Sequence, residues 1–286
     1  MKNILITGVS TGIGKNAAEY LLKKGYRVFG SVRKLSDSKN LKIKYQSNFI
    51  PLEFDVTEEN SILKSVKTVK EKLNGDYLDC LINNAGIAIG GPAILLKTKH
   101  FRYQFEVNLF GVISVTNAFI ELLGAKLNNN HSGKIINISS VSGKRAFPFV
   151  SPYTASKFAL EGYSDSLRRE LQIYGIDVII IEPGPIKTDI WKKIPKENEN
   201  PFKCSDYDKM LKKFYHIAMK NGINGLDAKI VSERIFKIIN SKKNKTRYLI
   251  TKNKFKNHIL PGLISDRWFD KLIGKKLELI KKIRLL

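Results

Sequence analysis

The feature that most limits the fold is a regular alternation of short apolar runs with segments of helical spacing, from residue 1 to about residue 185. Nearly continuous apolar runs are typical of strands that are buried on both faces. Such strands, separated by helices, predict an α/β fold with a doubly wound parallel sheet covered by helices on both sides. The predicted strands are Asn3–Thr7, Tyr26–Val32, Asn48–Phe54, Tyr77–Asn83, Lys134–Ser139 and Ile176–Ile181, and the predicted helical segments are Gly12–Lys24, Thr57–Leu73, His100–Leu127 and Pro152–Tyr174.

The first strand-to-helix turn is rich in glycine and reads TGVSTGIG over residues 7–14. Glycines here allow a tight turn, close approach of the backbone to a pyrophosphate and close packing of the helix on the sheet. The helix N-terminus then offers N–H groups and a positive dipole end to phosphates. The turn therefore predicts a dinucleotide site that includes Gly8, Ser10, Thr11, Gly12, Ile13 and Gly14.

The end of the second predicted strand indicates which dinucleotide is preferred. A carboxylate there would bind the ribose hydroxyls of NAD and repel the extra phosphate of NADP. Residues 31–34 read SVRK instead, and the Arg33 guanidinium can pair with a 2′-phosphate through two hydrogen bonds. We predict NADP(H) in preference to NAD(H), the alternative being that Arg33 is one more surface cation. After the third strand, Asp55 and Val56 are predicted at the adenine, and capping of the next helix is the competing role of Asp55.

Tyr153 and Lys157 are four residues apart at the start of a predicted helix, so their side chains share one helix face. A free tyrosine has a pKa of about 10, which is too high for efficient proton transfer near neutrality. A neighbouring ammonium favours the phenolate, so Lys157 is expected to lower the pKa of Tyr153. A Tyr-xxx-Lys pair is common by chance, however, and ordinary helix packing is its alternative explanation.

Several further motifs make the pattern specific. The chain resembles the short-chain dehydrogenase/reductase family, and in particular its branch of 17β-hydroxysteroid and retinol dehydrogenases. The branch resemblance rests on YTASKFALEG at residues 153–162 and IEPGPIKT at residues 181–188. The family motifs occur in order as TG-xxx-GIG at residues 7–14, Asp55, NNAG at residues 83–86, Asn108, Ser139-Ser140, Tyr153-xxx-Lys157 and PG-xxx-T at residues 183–188.

The resemblance implies a role for each matching residue. Tyr153 would exchange a proton with the substrate oxygen, Lys157 would also hold the nicotinamide ribose, and Ser140 would hydrogen-bond the substrate oxygen. Asn108 would support a water-linked proton relay through Lys157, and its alternative is a buried amide that satisfies a helix irregularity. Ser139 is expected to be structural. The remaining cofactor contacts would come from Asn83, Ala85 and Gly86 beside the adenine and from Pro183, Gly184, Ile186 and Thr188 at the nicotinamide carboxamide.

The predicted activity is interconversion of an alcohol and a ketone or aldehyde by hydride transfer with NADP(H). We expect one Rossmann-like domain over residues 1–286, with a substrate lid at about residues 190–227. The lid is rich in aromatic residues, which suits a steroid-like, retinoid-like or other lipophilic substrate, although the aromatics could instead pack the lid on the core. No metal is expected, because the four histidines show no ligand spacing. A non-catalytic dinucleotide-binding regulator is the alternative function.

The net charge of +24 raises two further options. Nucleic-acid binding is disfavoured, because no motif interleaves aromatic and basic residues. The basic tail at residues 251–286 could lie on an anionic membrane or pack on its own domain or on another subunit of a homo-oligomer. Its apolar stripe consists of Trp268, Phe269, Leu272, Ile273, Leu277, Ile280 and Ile283.

The location expected from the sequence is the cytoplasm, with peripheral membrane association through the tail as an option. Residues 1–3 lead directly into the apolar residues 4–6, which are too few for a secretory signal, and no apolar stretch is long enough for a membrane span. The two cysteines, Cys80 and Cys204, cannot form a disulfide framework, which suits a reducing compartment.

Overall fold

The structure is a computed structural model that describes residues 1–194, 200–253 and 260–280. Within these residues one sheet contains β1 (Asn3–Ile6), β2 (Arg27–Val32), β3 (Phe49–Glu53), β4 (Cys80–Asn83), β5 (Lys134–Ile138), β6 (Asp177–Pro183) and β7 (Arg247–Ile250). The strands lie in the order β3-β2-β1-β4-β5-β6-β7, and every neighbouring pair is parallel. The predicted doubly wound parallel sheet is confirmed.

Helices cover both faces of this sheet, because its strands are apolar on both sides. One core contains buried residues of α1 and α8, and the other contains buried residues of α3 and α5. The helices of the described residues are α1 (Gly12–Lys23), α2 (Lys39–Tyr45), α3 (Glu59–Leu73), α4 (Thr98–Phe105), α5 (Gly111–Phe119), α6 (Ser151–Glu170), α7 (Asp208–Ile223), α8 (Ala228–Asn240), α9 (Leu260–Leu263) and α10 (Asp266–Leu277).

The strand order reverses between β1 and β4, and this reversal positions the site. In a sheet of this kind the ligand crevice lies beyond the carboxyl ends of the strands at the reversal. The loops that follow β1 and β4 begin side by side there, since Ile6 pairs with Ile82 and the Thr7 amide donates to the Ile82 carbonyl at 3.0 Å.

Two predicted elements, α3 and β4, start two and three residues later than expected. Asp55 Oδ1 accepts hydrogen bonds from the Thr57 amide at 3.0 Å and the Thr57 hydroxyl at 2.9 Å, and α3 begins at Glu59 rather than at Thr57. Asp79 Oδ2 accepts from the Asn3 amide at 2.7 Å, and β4 begins only at Cys80 rather than at Tyr77.

The helical stretch predicted at His100–Leu127 is wrong as a single helix. It consists of α4, a wide π-helical turn at Glu106–Phe110, α5 and a short 3₁₀ turn at Glu121–Leu123. Gly124 then ends it with φ +95°, a conformation that glycine adopts without strain. The π-helical turn covers only five residues and contains no glycine or proline that would mark an interruption, which is why the sequence pattern does not reveal it.

No helix or strand was predicted between the lid and the tail. Residues 228–250 contain α8 and β7, and β7 extends the sheet beside β6. The helix packs on α1, and the Ser232 hydroxyl donates to Asn16 Oδ1 at 2.7 Å. The fold therefore continues past β6 and past the last family motif, which ends at Thr188.

Candidate active site

The glycine turn after β1 has the shape of a phosphate cradle. Gly8 and Gly12 adopt φ values of +71° and +62°, which are strained for residues with a side chain. A Cβ atom on Gly14 would collide with the Gly8 carbonyl and with the Asn84 amide. No side chain caps the start of α1, and its first turn carries no acidic residue. The N–H groups and positive end of α1 are thus directed at this loop, and the residues fit a dinucleotide pyrophosphate.

Two side chains that were not among the predicted site residues hold this cradle in place. The Thr7 hydroxyl accepts hydrogen bonds from the amides of Asn84 and Ala85, both at 2.9 Å. Asn84 Nδ2 donates to the carbonyls of Thr7 at 2.9 Å and Gly8 at 3.0 Å. The turn after β4 therefore braces the turn after β1. The motifs contain both residues, but only the crossing of the two loops reveals their function.

The next strand also supports the cradle. Ser31 Oγ accepts from the Gly8 amide at 3.1 Å, so the end of β2 is fixed beside the glycine turn. Val32 is buried and Arg33 is exposed, and no carboxylate occupies the position after Val32. Asp55 forms a turn with Thr57 ahead of α3 but does not cap the helix, whose N-cap residue is Glu58, and its contact with adenine stays a prediction. Val56 packs against Gly111.

Ser140, Tyr153 and Lys157 come together at the carboxyl end of β5. Ser140 follows β5 directly, and its hydroxyl accepts from the Ser142 amide at 3.1 Å and hydrogen-bonds the Tyr153 phenol. Lys157 is buried one turn after Tyr153 on α6, and its Nζ lies 5.8 Å from the centroid of the tyrosine ring. The same Nζ donates to the Ile138 carbonyl at 2.7 Å.

The protonation of this group differs from the prediction in one respect. Burial raises the pKa of Tyr153, and the hydrogen bond with Ser140 opposes that shift only in part, so the net direction is opposite to the expected lowering. Burial also lowers the pKa of Lys157 to about 8, while the charge of Glu161 acts in the other direction. At neutral pH the tyrosine is therefore a protonated phenol and the lysine is predominantly an ammonium ion.

Asn108 lies at the centre of the π-helical turn and is buried. Its Oδ1 accepts from the Ile87 amide at 2.9 Å, and its Nδ2 donates to the Ile87 carbonyl at 3.0 Å and to Ser156 Oγ at 3.1 Å. The side chain thus ties the loop after β4 to α6 next to Lys157. This is the alternative function considered for Asn108, a satisfied amide at a helix irregularity, and the relay stays a prediction.

The asparagine motif is divided between two tasks. Asn83 donates to Asn137 Oδ1 at 2.9 Å and to Thr116 Oγ1 at 3.1 Å, so it braces β4, β5 and α5 inside the protein. Ala85 and Gly86 lie in the loop beyond it, where a Cβ atom on Gly86 would lie 3.3 Å from Asn108 Oδ1. Ser139, which was expected to be structural, is buried beside Gly143.

The last motif joins the same crevice from the end of β6. Thr188 lies against the cradle, since a Cβ atom on Gly12 would touch its side chain at 3.6 Å. Gly184 is pressed against Thr251 and donates its amide to the Ile250 carbonyl at 2.9 Å. The buried Ile186 accepts a hydrogen bond from Trp191 Nε1 at 2.7 Å. Pro183 closes β6 opposite Ile250, and the motif begins where that strand ends.

The lid segment packs as an aromatic cluster around Phe149, a residue of the loop between Ser140 and Tyr153. The Phe149 ring centroid lies 5.6 Å from that of Phe214 and 6.0 Å from that of Tyr207. Phe149 itself has φ +65°, a strained conformation for a bulky residue. The aromatic residues thus pack the lid on the core, which was the alternative to a role in substrate binding. Their packing also forms an apolar wall beside the catalytic loop.

Residues 2–199 match the model of the short-chain dehydrogenase family. The chain belongs to the short-chain dehydrogenase family. It is therefore an oxidoreductase that acts on alcohol and carbonyl groups, and it belongs to the branch that contains retinol and steroid dehydrogenases. Both predictions from the sequence motifs are confirmed.

Two curated relatives illustrate the likeness. The chain is 39% identical over 278 residues to the NADPH-dependent 3-dehydrocapnine reductase of Ornithobacterium rhinotracheale, covering 97% of this chain and 98% of that protein. It is 35% identical over 190 residues to retinol dehydrogenase 7 of Rattus norvegicus, covering 66% of this chain and 58% of that protein.

A solved structure supports the fold. A short-chain dehydrogenase from Burkholderia cenocepacia, determined in complex with NADP, superimposes with a TM-score of 0.70 at 22% identity, covering 97% of this chain and 99% of that chain. In the described part of the dehydrogenase no helix is long and apolar enough to cross a membrane. The same residues contain no cluster of three or more His, Cys, Asp or Glu side chains suited to a metal ion.

Proposed function

We propose that this dehydrogenase interconverts a lipophilic alcohol and its ketone or aldehyde with NADP(H), and that Tyr153 is the proton donor and acceptor. The observation that carries the proposal is the meeting of Ser140, Tyr153 and Lys157 at the carboxyl edge of the sheet, beside the phosphate cradle. The three side chains come from the end of β5 and from one face of α6, and two rigid elements therefore hold them.

In the reducing direction the Tyr153 hydroxyl donates its proton to the carbonyl oxygen of the substrate. Its raised pKa keeps the proton in place before reaction, and the nearby Lys157 ammonium stabilises the phenolate that remains. The Ser140 hydroxyl donates to the same substrate oxygen as negative charge develops there. The bound NADPH supplies the hydride. Oxidation runs the proton transfer in reverse.

The cofactor preference is for NADP(H). Arg33 is exposed at the carboxyl end of β2, where its guanidinium can pair with a 2′-phosphate, and a buried Val32 replaces the carboxylate that would repel this phosphate. The relative with 39% identity is named as NADPH-dependent, and the Burkholderia structure contains NADP. Residues 31–34, at the end of β2, thus agree with the cofactor of both proteins.

The lipophilic nature of the substrate is inferred from the lid. Its aromatic cluster and the strained Phe149 place apolar surface beside the catalytic loop, which favours an apolar chain or ring over a polar group. The name of one relative includes retinol, an apolar alcohol. The proposal also includes the proton relay through Asn108 and the cofactor contacts predicted from the motifs.

A substrate series tests the proposal. NADPH consumption is measured with 2-ketones of increasing alkyl length, and a short polyhydroxylated aldehyde of similar size serves as the control. We expect kcat/KM to rise by up to about fourfold for each buried methylene, which corresponds to about 0.8 kcal/mol. Equal or better turnover of the polar control would contradict a lipophilic site. NADPH binding without turnover of any carbonyl would favour the alternative of a non-catalytic regulator.

We also propose that the tail makes peripheral contact with an anionic membrane. The predicted stripe divides into two faces in α10. Ile273 and the buried Leu277 pack with the lid cluster, whereas Trp268 and Leu272, four residues apart, are 65% and 52% exposed. The exposed Lys271, Lys275 and Lys276 surround this outer face. The lysines can pair with anionic lipid headgroups, and Trp268 and Leu272 can enter the boundary between the headgroups and the acyl chains. Ile283, Lys281 and Lys282 lie outside the described residues.

A further inference from the structure

Two buried carboxyl groups lie behind the catalytic lysine, where the proposed mechanism uses neither. Glu161 is one helical turn beyond Lys157 on α6, and Glu182 precedes the nicotinamide motif at the end of β6. Both are 4% exposed. Carboxylates this deeply buried are rare unless they are paired, so their partners determine what they can do.

The two carboxyls leave a specific gap in their hydrogen bonding. Glu161 Oε2 is satisfied by Lys144 Nζ at 3.0 Å and by Arg247 Nε at 2.9 Å. Glu161 Oε1 and Glu182 Oε1 are buried, and neither has a hydrogen-bond partner among the described residues. The carboxyls of Glu161 and Glu182 nevertheless lie next to each other, because both contact the same two cations, Lys144 Nζ and Arg247 Nε. Two ionised carboxylates can only accept, whereas a single proton between them would satisfy both.

The surrounding charges cannot neutralise two carboxylates equally. Arg247 Nε is 3.5 Å from Glu182 Oε1 and Lys144 Nζ is 3.9 Å from it, both longer than their contacts with Glu161. Arg247 is also shared with Asp165 at 2.8 Å. The charged groups around the pair are Lys157, Asp165 and Arg168 on α6, Lys144 on the loop after β5, and Arg247 on β7.

We propose that Glu161 and Glu182 share one proton, and that the single negative charge of this pair keeps Lys157 in its ammonium form during catalysis. The inference rests on the proposed function of Tyr153 and Lys157. Glu161 and Lys157 lie on one face of α6, so the charge of the pair is held at a fixed position relative to the lysine. Glu161 is a positioning residue, since it acts on the substrate only through Lys157.

The titration directions agree with this arrangement. Burial and the charge of Glu161 raise the pKa of Glu182 to about 7. Burial lowers the pKa of Lys157 to about 8, and Glu161 is the charge that opposes this shift. Glu182 therefore keeps its proton up to a pH close to neutrality, beside a Glu161 carboxylate that is held by Lys144 and Arg247. The pair therefore carries one charge below that pH and two charges above it.

The kinetic test compares the full-length Glu161→Gln and Asp165→Asn variants. Each loses an ion pair with Arg247. Only Glu161→Gln takes the negative charge off α6 beside Lys157 and leaves it on Glu182, which is not the carboxyl whose charge acts on Lys157. In NADPH-dependent reduction we expect Glu161→Gln to move the alkaline limb of kcat/KM to lower pH by about 1 unit, the size of effect that one near charge produces. Asp165→Asn should leave the limb in place, and Glu161→Asp should restore it. An unmoved limb in Glu161→Gln would overturn the proposal.

A second measurement does not depend on activity or on the folding of Glu161→Gln. Infrared difference spectra of the parent should show the carbonyl stretch of a protonated carboxyl group, which fades as pH rises through about 7. The isosteric Glu182→Gln variant should lack that band. A parent without the band at pH 6, or a variant that keeps it, would overturn the shared proton. The proposed function fails separately, if a Tyr153→Phe variant stays active.

Discussion

At the scale of single residues, the catalytic group shows how burial and partners decide protonation. Tyr153 is hydrogen-bonded by Ser140 and lies near an ammonium, and burial still sets the net direction of its pKa shift. Sequence spacing placed Tyr153 and Lys157 on one helix face correctly, but it could not supply the depth of that face below the surface. The desolvation of both groups follows from the three-dimensional packing of α6 on β5 and β6.

Arg33 carries the prediction on cofactor choice. Arg33→Ala should weaken NADPH binding by roughly tenfold or more and leave NADH nearly unaffected, because a charge-assisted bond contributes about 1.5–3 kcal/mol. Lys34→Ala is the matched control, an exposed cation next along the chain. Val32→Asp should shift preference further toward NADH by repelling the 2′-phosphate. Dissociation constants for both cofactors, measured by nicotinamide fluorescence, check this. Equal losses for NADPH and NADH in Arg33→Ala would refute the assignment.

At the scale of elements, the apolar stripe of α10 divides between an inner face that is packed and an outer face that is exposed. Its inner side chains join the lid cluster, and Phe269 lies edge-on to Phe147 with their ring centroids 6.1 Å apart. The guanidinium carbon of Arg145 stands 4.5 Å from the centroid of the Phe269 ring. The sequence presented packing and membrane contact as alternatives, whereas α10 has one face packed on the lid cluster and a second, exposed face for which we propose the membrane contact.

Substitutions on the two faces of α10 are expected to have opposite effects on vesicle binding and on melting temperature. Trp268→Ala combined with Leu272→Ala should reduce co-sedimentation with vesicles of anionic phospholipid and leave the melting temperature nearly unchanged, because both side chains are exposed. Phe269→Ala with Ile273→Ala, the matched inner pair, should lower the melting temperature by several degrees through lost burial. Binding of the parent should weaken with salt. If the parent shows no binding to anionic vesicles at low salt, the membrane proposal is withdrawn.

The elements that sequence predicted well are those with strong apolar runs. The strands from β1 to β6 were predicted with shifts of up to three residues, since all of them except β3 are buried on both faces. β7 escaped because its four residues include an arginine and a tyrosine and only Ile250 is fully buried. The π-helical turn was not predicted because it is short and no glycine or proline marks it.

At the scale of the whole molecule, the cofactor cradle and the catalytic group come from segments far apart in the chain. The cradle follows β1, the catalytic residues follow β5 and open α6, and Thr188 returns from β6 to touch Gly12. Motif order predicted these residues, and most of the motifs lie at or just beyond the carboxyl end of a strand. The residues that brace them, Thr7, Asn84 and Ser31, are identified only when the loops meet.

The buried ionic network was also invisible in sequence. Glu161 and Glu182 look like ordinary acidic residues in a basic chain, and they are separated by 21 positions. Only the pairing of β6 with β7 and the packing of α6 bring them together with Arg247. Where the function depends on such contacts between segments, sequence alone gives the motif and not the environment that tunes it.

The most direct test of the proposed mechanism is Tyr153→Phe. The phenyl ring keeps the packing of Tyr153 and loses only its hydroxyl, so NADPH affinity should stay within about threefold of the parent. Turnover of the best ketone from the substrate series should fall by at least about a hundredfold, because general acid catalysis contributes 10²–10⁴-fold. NADPH fluorescence titration and the rate of NADPH oxidation are measured on the same preparation. Intact binding with almost no turnover is the predicted result, and turnover close to that of the parent would contradict Tyr153 as the proton donor.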